Sequence, residues 1–385
     1  MSENQIKEKE LNGMENPFIK KCVEEYLKIT CPKVIFIYTS PKVGSTALVS
    51  SFRIFTSKKI NIFHFHNESL LPQEYKNAGV TINDLIHYCA SVLGKKIYVI
   101  DVYRTPIEKK ISTFFDRLAV YHYNAPENVV ETYSIKHITN RFNSLFPYLG
   151  DCDYWFDKHY GDAVADSLPP VFPHDSKYIT VDCNLVKYIK LRLSDSKNWG
   201  SILSTIFGLH IEVIGDYARE NKPLGKLYTQ FKKEYKIPHA FLNDICKHDR
   251  HFQYYMSANE RSAYINKWHA KSTETPVCVY TKEEYGFYSQ LCAENSYMDF
   301  VQKNSEHYLD SGCVCDGCMA KRTRVAALIV ANPDNPNIGN IHHSHHKIDG
   351  IGNQSYKNRM YKIVRRRQRG KSRSRSATIR MTLLS

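Results

Sequence analysis

The sequence predicts an α/β fold in which helices cover both faces of a central parallel sheet. Three observations lead there. Val34–Tyr38 and Ile97–Val102 are short apolar runs rich in β-branched residues, the composition of strands buried on both sides. Each runs through a turn into a helical segment, spaced at Leu48, Phe52 and Phe55 after the first and opened by Pro106 after the second. A further run, Ile60–His66, and a helical stretch at Thr81–Leu93 complete an alternation of strand and helix, which calls for crossover connections and a parallel sheet. Ligands of such sheets sit at the carboxyl ends of the strands. Lys42, His66 and Arg104 all fall there.

Residues 1–32 read as a polar lead with a short helix over Pro17 to Lys28. The first strand breaks at Thr39-Ser40-Pro41, and Lys42, Val43, Gly44, Ser45 and Thr46 follow. A buried strand that turns through glycine into a helix leaves several backbone N–H groups pointing one way, and an anion can accept them. The turn therefore reads as a phosphate cradle. A Walker-type loop places its lysine directly after the second glycine; here Lys42 comes two residues before Gly44.

In the second run Ile62, His64 and His66 alternate with Phe63 and Phe65, which puts both histidines on one face of a strand. A neutral imidazole, with an ordinary pKa of about 6.5, suits removal of a hydroxyl proton. His66, at the strand's exposed end, is the first candidate base, with His64 and Glu68 behind it; the alternative is a pair of structural histidines at the sheet edge. Thr81–Leu93 carries apolar positions at Ile82, Leu85, Ile86, Ala90 and Leu93 and ends at Gly94. Beyond the third strand come Arg104, Pro106 at a helix start, Lys109, and Ser112 eight residues after the arginine. A guanidinium forks onto a dianionic phosphate, and a hydroxyl from the second helical turn can reach the same group.

Tyr121–Pro170 turns aromatic and is expected to form helices over the mouth of the sheet. Tyr178–Leu193 holds one or two more strands, and helical spacing resumes over Trp199–Phe207. Asp182 and Asp195, acids at strand ends, are expected to cap helices. Trp268 is expected in the core.

Pro41-Lys42-x-Gly44-Ser45-Thr46 resembles the loop with which PAPS-dependent sulfotransferases hold the 5′-phosphosulfate of 3′-phosphoadenosine 5′-phosphosulfate, and Arg104, Pro106, Lys109 and Ser112 match that family's second motif position for position. The resemblance implies a P-loop-like three-layer sandwich with a helical cap. It also implies PAPS as co-substrate, held by residues 42–46 at the phosphosulfate and by Arg104, Lys109 and Ser112 at the 3′-phosphate. It places a histidine or glutamate base just after the second strand. KYIKLRLSD, NKPLGKLYTQFK, IPHAFLNDI and NERSAYINKWHAKS are similar to the capsular-polysaccharide sulfotransferase family, whose Asn-Lys-Trp signature matches Asn266, Lys267 and Trp268. That likeness covers residues 33–270 loosely and implies a carbohydrate hydroxyl as acceptor. Two departures stand out: the signature's following Tyr-Ser is His269-Ala270, and the tryptophan that follows the loop in many relatives is Ala47. Lys222 or Lys226 could close over the nucleotide, but a solvated lysine pair is the favoured reading.

The domain is expected to span residues 33–305, with a Cys/His-containing, largely disordered basic tail from 306 to 385. The formal charge is +14; from Lys321 onward fifteen Lys or Arg stand against two acids, which is +13, so the rest of the chain carries only +1. The basic character thus says little about the domain's substrate. Arg365-Arg366-Arg367-Gln368-Arg369 and the serine-dotted stretch after it could bind nucleic acid or another polyanion, or serve as a nuclear address. Cys313-x-Cys315-x-x-Cys318 with the His342–His346 run falls short of two paired zinc half-sites, so no metal is predicted. No apolar run reaches membrane-spanning length and the amino terminus has no apolar signal region, which sets the expectation of a cytoplasmic chain. Of the eleven cysteines eight sit singly, which fits reduced thiols. The rivals are a P-loop kinase and an inactive nucleotide-binding or scaffold protein with a basic tail.

Overall fold

A computed structural model describes residues 16–56, 60–123, 125, 127–150, 169, 171–215 and 224–295. Five strands form one sheet: β1 (Lys33–Tyr38), β2 (Ile60–Phe65), β3 (Lys96–Tyr103), β4 (Tyr178–Cys183) and β5 (Val186–Arg192), in the order β2-β1-β3-β5-β4. β2, β1, β3 and β5 run parallel, and β4 is an antiparallel edge. The α/β class and the parallel core follow the sequence expectation; the reversed edge strand is an addition to it.

Alternation along the strands creates two cores. Val34, Phe36 and Tyr38 of β1 join Ile97, Val99 and Tyr103 of β3 on one face, whereas Ile35 and Ile37 join Tyr98, Ile100 and Val102 on the other. The second face is covered by α2 (Ser45–Phe55) and by α6 (Trp199–Phe207), through Leu48, Val49, Phe52, Trp199, Leu203 and Phe207. The first face takes α3 (Ile82–Ser91) and α4 (Pro106–Asp116), and a broader helical layer: α5 (Ile135–Leu145), α7 (Gly225–Glu234), α8 (His239–His248) and α9 (Ala258–His269). The short helix α1 (Pro17–Lys21) and the turn after it are built into that same core by Ile19, Cys22, Val23 and Leu27.

Local signals set the helix ends. Thr81 and Asp84 form a reciprocal capping box at α3, and Ser257 and Glu260 another at α9. Gly94, in the left-handed region at φ 59°, closes the turn between α3 and β3. The described part of the aromatic middle segment gives α5, whose Phe142 packs against Phe114, Phe231 and Tyr235. It thickens the helical layer. A last helix, α10 (Lys282–Asn295), is fastened by Tyr121 and His122 to Ser289 and Tyr288.

From β1 the chain crosses to β2 on one side and then to β3 on the other. The turns leaving β1 and β3 therefore diverge to opposite sides of a crevice, the usual ligand position in open α/β sheets. Among the described residues no helix is long and apolar enough to cross a membrane, and the cysteines form no disulfide. The Cys313–Cys318 and His342–His346 clusters, the arginine block, Lys222 and the 305/306 boundary lie outside the described residues.

Candidate functional site

Thr39, the first residue past β1, fastens three strand ends. Its hydroxyl donates to Asp101 Oδ1 at 2.6 Å and accepts from the Val102 N–H at 3.1 Å, while its own N–H donates to Phe65 O at 3.1 Å. Its carbonyl lies 2.8 Å from His66 Nδ1. A carbonyl can only accept, so Nδ1 carries the proton and Nε2 presents a lone pair. Burial pulls the His66 pKa below its ordinary value; the Thr39 bond and the Asp116 charge oppose that pull and the Lys42 charge adds to it. His66 is accordingly neutral at pH 7, the form a proton acceptor needs.

The turn itself is held in an unusual backbone. Lys42 has φ 66° and Gly44 φ 89°, both left-handed. At Gly44 a Cβ would lie 2.9 Å from Leu193 Cδ1 and 3.3 Å from the Trp199 ring; the backbone conformation calls for glycine, and a side chain there would also have to push the leucine methyl aside. Gly44 is also the N-cap of α2 and supplies no side chain to the first N–H groups. Those of Ser45 and Thr46 lead the helix there. Arg104, just past β3, donates from Nη1 to the Lys42 carbonyl at 2.6 Å, which ties the two turns together across 62 residues. The Lys42 ammonium reaches Asp116 Oδ1 at 2.6 Å. Lys109, Ser112 and Asp116 follow one another at spacings that share a face of α4, and Lys109 and Ser112 are buried. Lys42, Arg104 and His66 are thus brought together, while Lys109, whose Nζ is enclosed, and Ser112 are tied to them only through the helix face they share with Asp116.

The other candidates separate. His64 stands edge-on to His66 with ring centres 4.5 Å apart, its Nε2 buried with no hydrogen-bond partner. Burial and the charges of His66 and Arg53 push its pKa down to about 3, so it is a packed, neutral imidazole. Glu68 accepts from Tyr38 Oη at 3.0 Å and the Ile82 N–H at 3.4 Å, joining β1 to α3. Asp195 does not cap α6 as expected; it accepts from Arg192 Nε at 2.6 Å, because that arginine is 2 % exposed and needs a counterion. Asp182 pairs with Lys187 across the β4–β5 hairpin at 2.7 Å. Trp199 donates to Arg192 O at 3.0 Å and lies under Gly44. Trp268 is buried as expected, yet its Nε1 also donates to Glu108 at 3.3 Å. Lys226 is exposed.

Two residues were not singled out from the sequence. Asp116 faces Lys42; the available signal was its place four residues after Ser112, at a helix C-terminus where an acid opposes the helix dipole. Glu108 accepts from Tyr264 Oη at 2.7 Å, Lys267 Nζ at 3.0 Å and Trp268. Burial would raise its pKa, but the Lys267 charge and these hydrogen bonds bring it below the ordinary value. Two of the three signature residues therefore brace the helix that follows Arg104.

Two surface clefts lie apart from this turn, one of about 500 Å³ around Gly200 and Glu212 and one of about 560 Å³ around Asn140 and Thr275. Neither is lined by residues 39–46. Among the described residues no group of three or more His, Cys, Asp or Glu is placed to hold a metal ion. Fold and site together define an α/β protein with a glycine turn, a lysine and an arginine converging at the crevice of its sheet. No family model, curated protein or solved structure matches this chain.

Proposed function

We propose that this chain is a sulfotransferase that moves a sulfuryl group from PAPS to an acceptor hydroxyl, with carbohydrate as the acceptor class. The observation that carries this reading is the contact of the two turns, Arg104 Nη1 to Lys42 O at 2.6 Å. Two motifs that resemble the two phosphate grips of one nucleotide then open onto one place. The residues present fit such a ligand: a left-handed glycine at the turn, a helix N-terminus without a side-chain cap, and the Lys42 and Arg104 side chains at the same turn. Lys42 and the N–H groups of Gly44, Ser45 and Thr46 would hold the phosphosulfate, and Arg104, Ser112 and Lys109 the 3′-phosphate. The donor supplies an activated sulfuryl group on a phosphate leaving group. Preorganised N–H donors and a lysine stabilise charge that develops there. His66 Nε2 would take the proton from the acceptor hydroxyl, with its other nitrogen fixed on Thr39. His64 and Glu68, engaged in packing and in the β1–α3 joint, are the lesser candidates.

A kinase of similar architecture would want a magnesium-holding acid beside the loop. Two acids stand there: Asp101 is 2 % exposed and accepts from Thr39, a poor position for an ion that keeps several waters, and Asp116 is paired with Lys42 at 2.6 Å. Isothermal titration with adenosine 3′,5′-bisphosphate separates the readings. Micromolar binding, weakened about 100-fold or more in Arg104→Ala, is expected of a half-buried, charge-assisted phosphate contact. Tight binding of ATP with magnesium and none of the bisphosphate would reject it, and RNA binding by the tail alone would favour the scaffold.

A further inference from the structure

Lys42 is held in three ways. Its backbone is fixed in the left-handed region, its carbonyl is gripped by Arg104, and its ammonium sits on Asp116 at 2.6 Å. The first two constraints belong to the turn and need not change when an anion arrives. The third competes with an arriving anion: the ammonium keeps further N–H donors, but a carboxylate at 2.6 Å offsets much of its charge and holds the side chain toward the end of α4. Asp116 is the last residue of α4, where the helix dipole disfavours a carboxylate, so its placement is offset by Lys42. Only 16 % of the Lys42 side chain and 34 % of the Asp116 side chain are exposed, which shields the pair from full solvent screening.

We propose that Asp116 is a built-in competitor for the anion at the β1 turn, occupying Lys42 until a ligand phosphate displaces it and thereby setting the affinity of the site. This rests on the nucleotide reading above. The switch is confined to the lysine side chain: the turn stays anchored by Arg104 and Gly44 while the ammonium moves from the end of α4 to the start of α2. Competition of this kind acts on any ligand that engages Lys42 and not on one that engages Arg104 alone.

The test compares wild type with Asp116→Asn, and with Asp116→Ser as a second variant, after melting curves confirm that each folds. Titration with adenosine 3′,5′-bisphosphate should give roughly five- to twenty-fold tighter binding in both variants, the range for loss of a partly shielded, charge-assisted contact. Adenosine 3′-monophosphate should bind all three proteins equally. In a Lys42→Met background the Asp116 substitution should have no effect, which isolates the pairwise coupling. Equal bisphosphate affinity in wild type and variants overturns the competitor and leaves the nucleotide reading standing. Weaker binding in the variants also overturns it, since Asp116 would then be positioning the lysine for its ligand. No binding of either nucleotide to any of the proteins removes the nucleotide reading and the competitor with it.

Discussion

Single atoms decide what the β1 turn can do. Gly44 has a neighbour at 2.9 Å from where a Cβ would sit and a φ of 89°, so Gly44→Ala meets both a clash and a strained backbone. We expect it to destabilise the protein by about 1–3 kcal/mol and to weaken bisphosphate binding by more than the fold loses. Thermal melting and titration on the same preparation read the two effects separately, and unchanged binding would show that the turn is not the anion's seat. The residues of the two turns could be read from the sequence because their chemistry is local: a glycine before a helix, an arginine and a proline after a strand. Asp116 could not, since its meaning comes from a lysine 74 residues away.

At the scale of elements, β1 and β3 announce themselves because strands buried on both faces are unbroken apolar runs, and α3 because its cap residues and Gly94 bracket it. β4 is weaker in sequence: it is a half-exposed edge with Ile179 and Val181 inward and Thr180 and Asp182 outward, and its antiparallel direction depends on a short turn. The brace between α9 and α4 has no local signature, as it joins residues 156 to 160 apart. Removing it tests its role. Trp268→Ala takes away a buried indole and should cost about 3–5 kcal/mol, seen as a lower urea midpoint. Glu108→Gln keeps the shape but loses the charge facing Lys267, and a smaller loss of about 1–2 kcal/mol is expected. If α9 instead touched the acceptor, Glu108→Gln would alter turnover with the urea midpoint unchanged.

For the molecule as a whole, buried ionisable groups couple folding to pH. Arg192, at the end of β5, is enclosed by Asp195, Glu260 at 2.9 Å, the Tyr255 carbonyl at 2.8 Å and the face of Phe172, so its charge stays paired across the working range. His64 and His122 behave oppositely. Burial comes first for both, with His66 and Arg53 acting on His64 and Arg141 and Arg117 on His122, and each is pushed down to about 3. Both are neutral in the native protein and bind protons near 6.5 once unfolded. Stability from this source is complete above pH 6.5 and falls as the pH drops toward 3, by about 1.4 kcal/mol per pH unit for each histidine. Urea midpoints should be level from pH 8 to 7 and decline from about 6.5 to 5, and His122→Phe should lessen the decline. A level midpoint down to pH 5 would contradict the burial of both rings.

Leu193 and Trp199 lie beneath Gly44, so the floor of the β1 turn is furnished by chain made much later. During synthesis the β1 turn leaves the ribosome well before that floor exists, and Gly44 gains these neighbours only when the chain after β5 docks. The packed form of the β1 turn therefore arrives late. An amino-terminal fragment ending before Trp199 would contain the whole of both turns and still lack the ring that packs beneath Gly44.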